Sequence, residues 1–172
     1  MMTGPLDDEI KAEQAALLCK ACGLCCTGHL FIWVKLRPAE LDPAEALGLT
    51  VFRSDPRQRG FSLPCPLWDG QCTIHSSAHY PRTCRAYKCK LLKEVLGEKI
   101  PLPEALTVIE QTKGLIHELE ARLPAAPPST FRERLVAQIE SRRDDGDLQL
   151  KAEALLRVYA NDFGVNDLVE QG

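Results

Sequence analysis

The apolar positions of the C-terminal half recur at helical steps. Leu102, Leu106, Ile109, Ile116, Leu119 and Leu123 are separated by three, four and seven residues, which aligns them on one face of a helix. The proline-rich stretch 124–128 ends that helix. Thr130 followed by Glu133 has the form of a capping box, and Phe131, Leu135 and Ile139 give the next helix its stripe. Gly146 stands where that helix would stop. A third helix after Asp147 carries Leu148, Ala152, Leu155, Tyr159 and Phe163 in register, with Gly164 beyond it.

The N-terminal half is less regular. Residues 5–19 predict a weaker helix through Leu6, Ile10 and Leu17. Phe31, Trp33 and Lys35 alternate with Ile32, Val34 and Leu36, as in a short apolar strand. Residues 38–47 read as one helix, with Asp42 as cap and Pro43 as first residue. The pattern shows no repeat and no low-complexity tract. The expected fold is mainly α, with an irregular cysteine-rich metal-binding centre and one short β-hairpin. It is one domain overall, in which a helical region, 101–172, packs on a cysteine-cluster region, 1–100.

Composition narrows the function. A chain of 172 residues with 45% hydrophobic content can bury a core without covalent staples, so its size does not force the eight cysteines to be structural. The net charge of -3 and pI of about 5.8 argue against nucleic acid or an anionic membrane as partner. Asp7, Asp8, Glu9 and Glu13 occupy the region where a secretory signal would be basic and then apolar. No run approaches the roughly 20 apolar residues of a membrane span. The expectation is a cytoplasmic protein, in whose compartment clustered cysteines point to metal or catalysis before disulfides.

The cysteines fall into three groups. The first is Cys19, Cys22, Cys25 and Cys26, four thiols in eight residues. On a continuous helix Cys19, Cys22 and Cys26 would share a face, and Gly23 lets the backbone leave the helix and wrap toward a metal. The second is Cys65 and Cys72, separated by Asp69-Gly70. A two-residue turn there would pair Trp68 with Gln71 and Leu67 with Cys72, sending both thiols to one side. The third is Cys84 and Cys89, following Pro81 amid Arg82, Arg85, Lys88, Lys90 and Lys93. Positive charge beside a thiol favours thiolate. The same basic segment, 82–99, is otherwise a solvated face or a surface for a protein partner.

Thiolates are soft ligands for iron–sulfur clusters, zinc or copper(I). Four complete an iron–sulfur cluster or a structural zinc site. Eight therefore fill two sites, or one with thiols left over, and the spacing does not divide them. His75 and His79 are candidate substitutes or supporting groups, with His29 and His117 behind them. The first choice of cofactor is an iron–sulfur cluster of the 4Fe-4S type, with iron in a redox or catalytic role; the alternative is zinc in a structural or protein-binding module. A thiol enzyme or redox sensor using Cys19 and Cys22 ranks third. The chain has no P-loop, GxGxxG, GxSxG or HExxH. Trp33 and Trp68 read as core, and Asp144-Asp145 as a solvated helix end.

Cys19, Cys22, Gly23, Cys25 and Cys26, then Cys65-Pro66, Cys72, Ile74 and His75, then Pro81, Cys84, Arg85 and Tyr87 resemble the bacterial CxxCxxCC cysteine-cluster family, often called YkgJ-type. The resemblance spans about residues 19 to 89. It implies zinc or iron chelation, and for some members iron–sulfur oxidoreductase activity. A similar cluster in flagellin lysine methylases implies radical or methyl-transfer chemistry for part of the family. Tyr80 stands where the family has arginine, with Arg82 just after Pro81. Cys89 and the helical tail lie beyond the resemblance.

Overall fold

The structure, a computed structural model, describes residues 4–125, 130–141 and 145–166. Within them the chain runs α1 (Pro5–Cys22), β1 (Trp33–Lys35), a 3-10 turn (Pro38–Glu40), α2 (Leu41–Ala46), β2 (Val51–Asp55) and β3 (Gln58–Ser62). It continues through α3 (Arg82–Ala86), α4 (Lys90–Leu96), α5 (Leu102–Arg122), α6 (Phe131–Ser141) and α7 (Gly146–Asn161). The class is mainly α with a small antiparallel sheet, as the pattern predicts.

The three long C-terminal helices form where the apolar periodicity places them. α5 buries Ala105, Ile109, Thr112, Ile116 and Leu119, and the Thr112 hydroxyl donates back to the Val108 carbonyl at 2.7 Å. The capping box of α6 is reciprocal. The Thr130 N–H donates to the Glu133 carboxylate at 2.6 Å, and the Glu133 N–H to Thr130 Oγ1 at 3.2 Å. α7 buries Leu148, Ala152, Leu155 and Tyr159.

Its start corrects the reading of Gly146 as a helix stop. Asp145 accepts from the Leu148 N–H at 3.1 Å and is the N-cap, so Gly146 is the first helical residue. Asp145 is no free helix end either, because Arg122 of α5 grips Asp145 and Asp147 at 2.8 and 2.5 Å. Asp144 and residues 126–128 of the proposed break lie outside the described residues.

α1 departs from its expected face. Leu6, Ile10 and Leu17 are 73%, 53% and 58% exposed, and Leu18 is the residue it buries. The helix docks on α4 and α5, so the stripe read from the sequence points to solvent. The helix expected over 38–47 is divided between the 3-10 turn and α2. Glu40, not Asp42, stands at the N-cap of α2, while Asp42 pairs with Arg53 at 2.7 Å.

The sheet has the order β1-β3-β2. Trp33, Val34 and Lys35 pair with Ser62, Phe61 and Gly60, and Phe61 and Gly60 pair on the other side with Val51 and Phe52. Gly60 is required by close approach: a Cβ there would lie 1.8 Å from the Val34 carbonyl oxygen. The regular hairpin is thus β2–β3, around Pro56-Arg57, and not 65–72. Asp55 closes that turn by accepting the Arg57 N–H at 2.9 Å.

Two apolar cores result. The larger unites Leu18, Leu24, Leu30, Leu91, Leu92 and Val95 with the inner faces of α5, α6 and α7, so it draws on both sides of Pro101. The smaller is made by Leu36, Leu41, Ala44, Leu49, Phe61 and Leu63 around the sheet. Phe31 packs against both. Among the described residues no helix is long and apolar enough to cross a membrane.

Candidate metal centre

The first cysteine group is shaped by the end of α1. Cys19 and Cys22 sit in its last turn, and Gly23 caps it in the left-handed region (φ 63°), its N–H donating to the Cys19 carbonyl at 3.1 Å. The helical face proposed for Cys19, Cys22 and Cys26 does not form, because the helix stops before Cys26. Cys25 and Cys26 fall in the next turn, where the Thr27 N–H and hydroxyl both donate to the Gly23 carbonyl at 2.9 Å. Trp68 lies against this corner, its ring 2.3 Å from where a Cβ on Gly23 would stand.

The second group enters through a cis Leu63–Pro64 peptide. The Cys65 N–H donates to the Cys26 carbonyl at 2.7 Å, which joins the first two groups. Trp68 is bridged to Cys72, with Asp69, Gly70 and Gln71 between them. The two-residue turn pairing Leu67 with Cys72 is therefore not the one formed. A type I′ turn needs positive φ at both central residues, and here only Gly70 (φ 70°) has it.

The third group spans two short helices. Cys84 lies in α3, and Cys89 is the N-cap of α4, its Sγ accepting the Leu92 N–H at 3.5 Å. α3 is anchored to the sheet lobe. Glu40 accepts the Arg82 N–H at 2.8 Å while its other oxygen accepts that of Arg37, also at 2.8 Å, and the Thr83 hydroxyl donates to the Lys35 carbonyl at 2.7 Å.

All eight cysteines are free thiols, and the fold brings all three groups together. Ionised, Cys19, Cys22 and Cys25 would each be repelled by Cys89. Cys26 would be repelled first by Cys72, Cys65 and Cys84, and Cys84 by Cys65 and Cys72. The two groupings overlap, since Cys26 would also repel Cys25, and Cys19 would repel Cys26. Packing follows the same division. Cys22, Cys25 and Cys89 lie against the larger core, and Cys65 and Cys84 against the smaller. Tyr87 neighbours Cys25 and Cys89; Tyr80 neighbours Cys84, Cys72 and Cys26.

The expectation that nearby cations depress these pKa values is not met. Burial pushes Cys19 up to about 11 and Cys22, Cys26 and Cys84 up to about 12, and raises Cys25, Cys65 and Cys89 as well. Desolvation of the charged form outweighs the cations. Arg85 lies 5.5 Å over the Tyr80 ring rather than against a thiol. The cations that do favour thiolate are Lys93 at Cys89 and Lys113 at Cys22. Lys90 donates to the Asn161 carbonyl at 2.7 Å, and all six basic residues of the segment 82–99 are exposed.

The histidines take other partners. His75 faces Tyr80 at 5.3 Å between ring centroids, and the backbone N–H of His79 donates to Ser77 Oγ at 3.1 Å. His29 is held between Thr27 at 2.6 Å and Glu120 at 2.8 Å. Among the described residues no three His, Cys, Asp or Glu side chains converge on the position of a single metal ion.

Sequence reasoning missed the residues by which the helices hold this region. Lys113 of α5 donates to the Ala21 carbonyl at the end of α1, and buried Arg132 of α6 to the Leu30 carbonyl. The one available signal was Arg132 beside the apolar positions of α6. A groove of about 320 Å3, lined by Arg37, Glu40, Arg82, Thr83, Ala86 and Tyr87, opens beside the Cys84 helix. No family model, curated protein or solved structure matched this chain in comparison.

Proposed function

We propose that this chain is a metal-binding protein whose cysteines hold iron–sulfur, of the 4Fe-4S type, in a redox or catalytic role. The observation that carries this reading is the gathering of eight unpaired thiols from three separate segments, Cys22, Cys25 and Cys89 packing against one core and Cys65 and Cys84 against the other. Core packing gives no reason to place so many thiols beside one another, where ionisation is opposed by burial and mutual repulsion. A soft, multiply charged metal centre reverses that opposition. The donor set suits a cluster by type and number, being all sulfur and enough for the four thiolates required, and a cluster, unlike a single ion, does not need three side chains to converge on one point. The resemblance to the YkgJ-type family points the same way.

A bound cluster supplies one-electron chemistry, and the surrounding residues bear on how it would do so. Lys93 and Lys113 bring positive charge to the thiols they face. Trp68 covers the Gly23 corner. The groove beside Cys84, with Arg37 and Arg82 in its lining, offers a small molecule or a partner's side chain access to that edge. The exposed basic segment 82–99 suits an acidic protein partner. We place the protein in the cytoplasm, where thiols stay reduced.

The test is metal and acid-labile sulfide content of anaerobically purified protein, together with its visible spectrum. Iron with matching sulfide and a brown chromophore is expected. Stoichiometric zinc without sulfide or colour would replace this reading with a zinc-stabilised binding module.

A further inference from the structure

We infer that the cysteines form two separate four-thiolate centres, Cys19, Cys22, Cys25 and Cys89 supplying one and Cys26, Cys65, Cys72 and Cys84 the other. The inference rests on the metal-binding reading above and assigns its ligands.

The backbone makes this division. Gly23 ends α1 in a left-handed turn, so the chain reverses between Cys22 and Cys26. Cys19 and Cys22 close the last turn of α1, a helix that packs on α4, and the N-cap of α4 is Cys89. Cys26 instead hydrogen-bonds by its carbonyl to the Cys65 N–H, which places it at the mouth of the loop carrying Cys65 and Cys72. Cys84 reaches the same loop because Glu40 and Lys35 fasten α3 to the sheet lobe. The apolar surroundings separate likewise, with Cys22, Cys25 and Cys89 on the helical core and Cys65 and Cys84 on the sheet core. Each set contains four thiols, the number that completes an iron–sulfur cluster. No thiol is left over. The consecutive residues Cys25 and Cys26 thus serve different centres.

The experiment compares metal content, per folded chain, of wild type and cysteine-to-alanine variants purified anaerobically, with far-ultraviolet circular dichroism as the check on folding. Wild type is expected to hold two centres. Cys89→Ala and Cys72→Ala should each retain half the metal. The pair Cys22→Ala with Cys89→Ala should still retain half, whereas Cys89→Ala with Cys72→Ala should retain none. Should Cys89→Ala not fold, Cys19→Ala on the exposed side of α1 replaces it. One centre per wild-type chain would overturn the inference, as would equal losses in within-set and cross-set pairs. Wild-type protein with neither iron nor zinc would instead overturn the proposed function itself.

Discussion

At the scale of single residues, Gly23 is the position on which the site most depends. Any side chain there meets both a left-handed backbone and the Trp68 ring. Gly23→Ala should lower stability by about 2 kcal/mol or more and lower metal content with it, as read by denaturant unfolding and metal analysis. The thiols give a pH prediction. Burial holds the pKa values of Cys19, Cys22, Cys26 and Cys84 in the folded, metal-free chain above the ordinary value of 9.0, so above pH 9 the unfolded chain releases protons that the folded chain retains. Stability is therefore fully present below about pH 9 and falls as pH rises toward 11 to 12. Unfolding midpoints of metal-free protein across pH 7 to 11 should show the decline. Tyr159 offers a contrast away from the site. Its hydroxyl is buried without a hydrogen-bond partner among the described residues. Tyr159→Phe should be neutral or stabilising by about 1 kcal/mol, whereas Tyr159→Ala should cost about 3 to 5 kcal/mol.

Among the elements, α5, α6 and α7 were legible because each is amphipathic; α7 buries its whole stripe, while α5 leaves Leu102 and Leu106, and α6 leaves Ile139, half-buried. The Thr130–Glu133 box was legible for a local reason, since both partners are three residues apart. α1 was misread because only its last turns meet the core, which leaves Leu6 and Ile10 with nothing to cover them. The hairpin was sought at Asp69-Gly70, where the dipeptide is favourable, and found at Pro56-Arg57, where the flanking strands carry few apolar residues. Candidate ligands were legible as a list. Their sorting was not, because it depends on a left-handed turn and on bonds between residues distant in sequence. Glu40 is such a case: its two oxygens tie the 3-10 turn to α3. Glu40→Ala should cost about 1 kcal/mol and loosen metal at Cys84 while sparing the Cys19 side, measurable as partial loss on mild chelation.

For the molecule as a whole, the larger core binds the N-terminal segment to the helices, so metal removal should not unfold everything at once. The sheet lobe and the cysteine loops rest on a small core of six buried apolar residues. Stripping metal should lower the thermal midpoint and raise amide exchange over residues 26–89 first, with α5 and α7 protected longest. Uniform exchange along the chain would contradict that order.

The change of allegiance between Cys25 and Cys26 also sets how the chain is laced. Read from the N-terminus, three cysteines of one set are passed first, those of the other follow entirely inside, and Cys89 completes the outer four. The arrangement is nested like brackets. The inner four are all synthesised before the outer set is complete. With metal bound as proposed, the outer ties would close a span of more than sixty residues between Cys25 and Cys89, and a clip over so long a span restricts the unfolded chain most. Each doubling of such a span adds only about 0.6 kcal/mol to its closure, so the stretch between Cys26 and Cys65 can lengthen at little expense while both sets of ties hold their places.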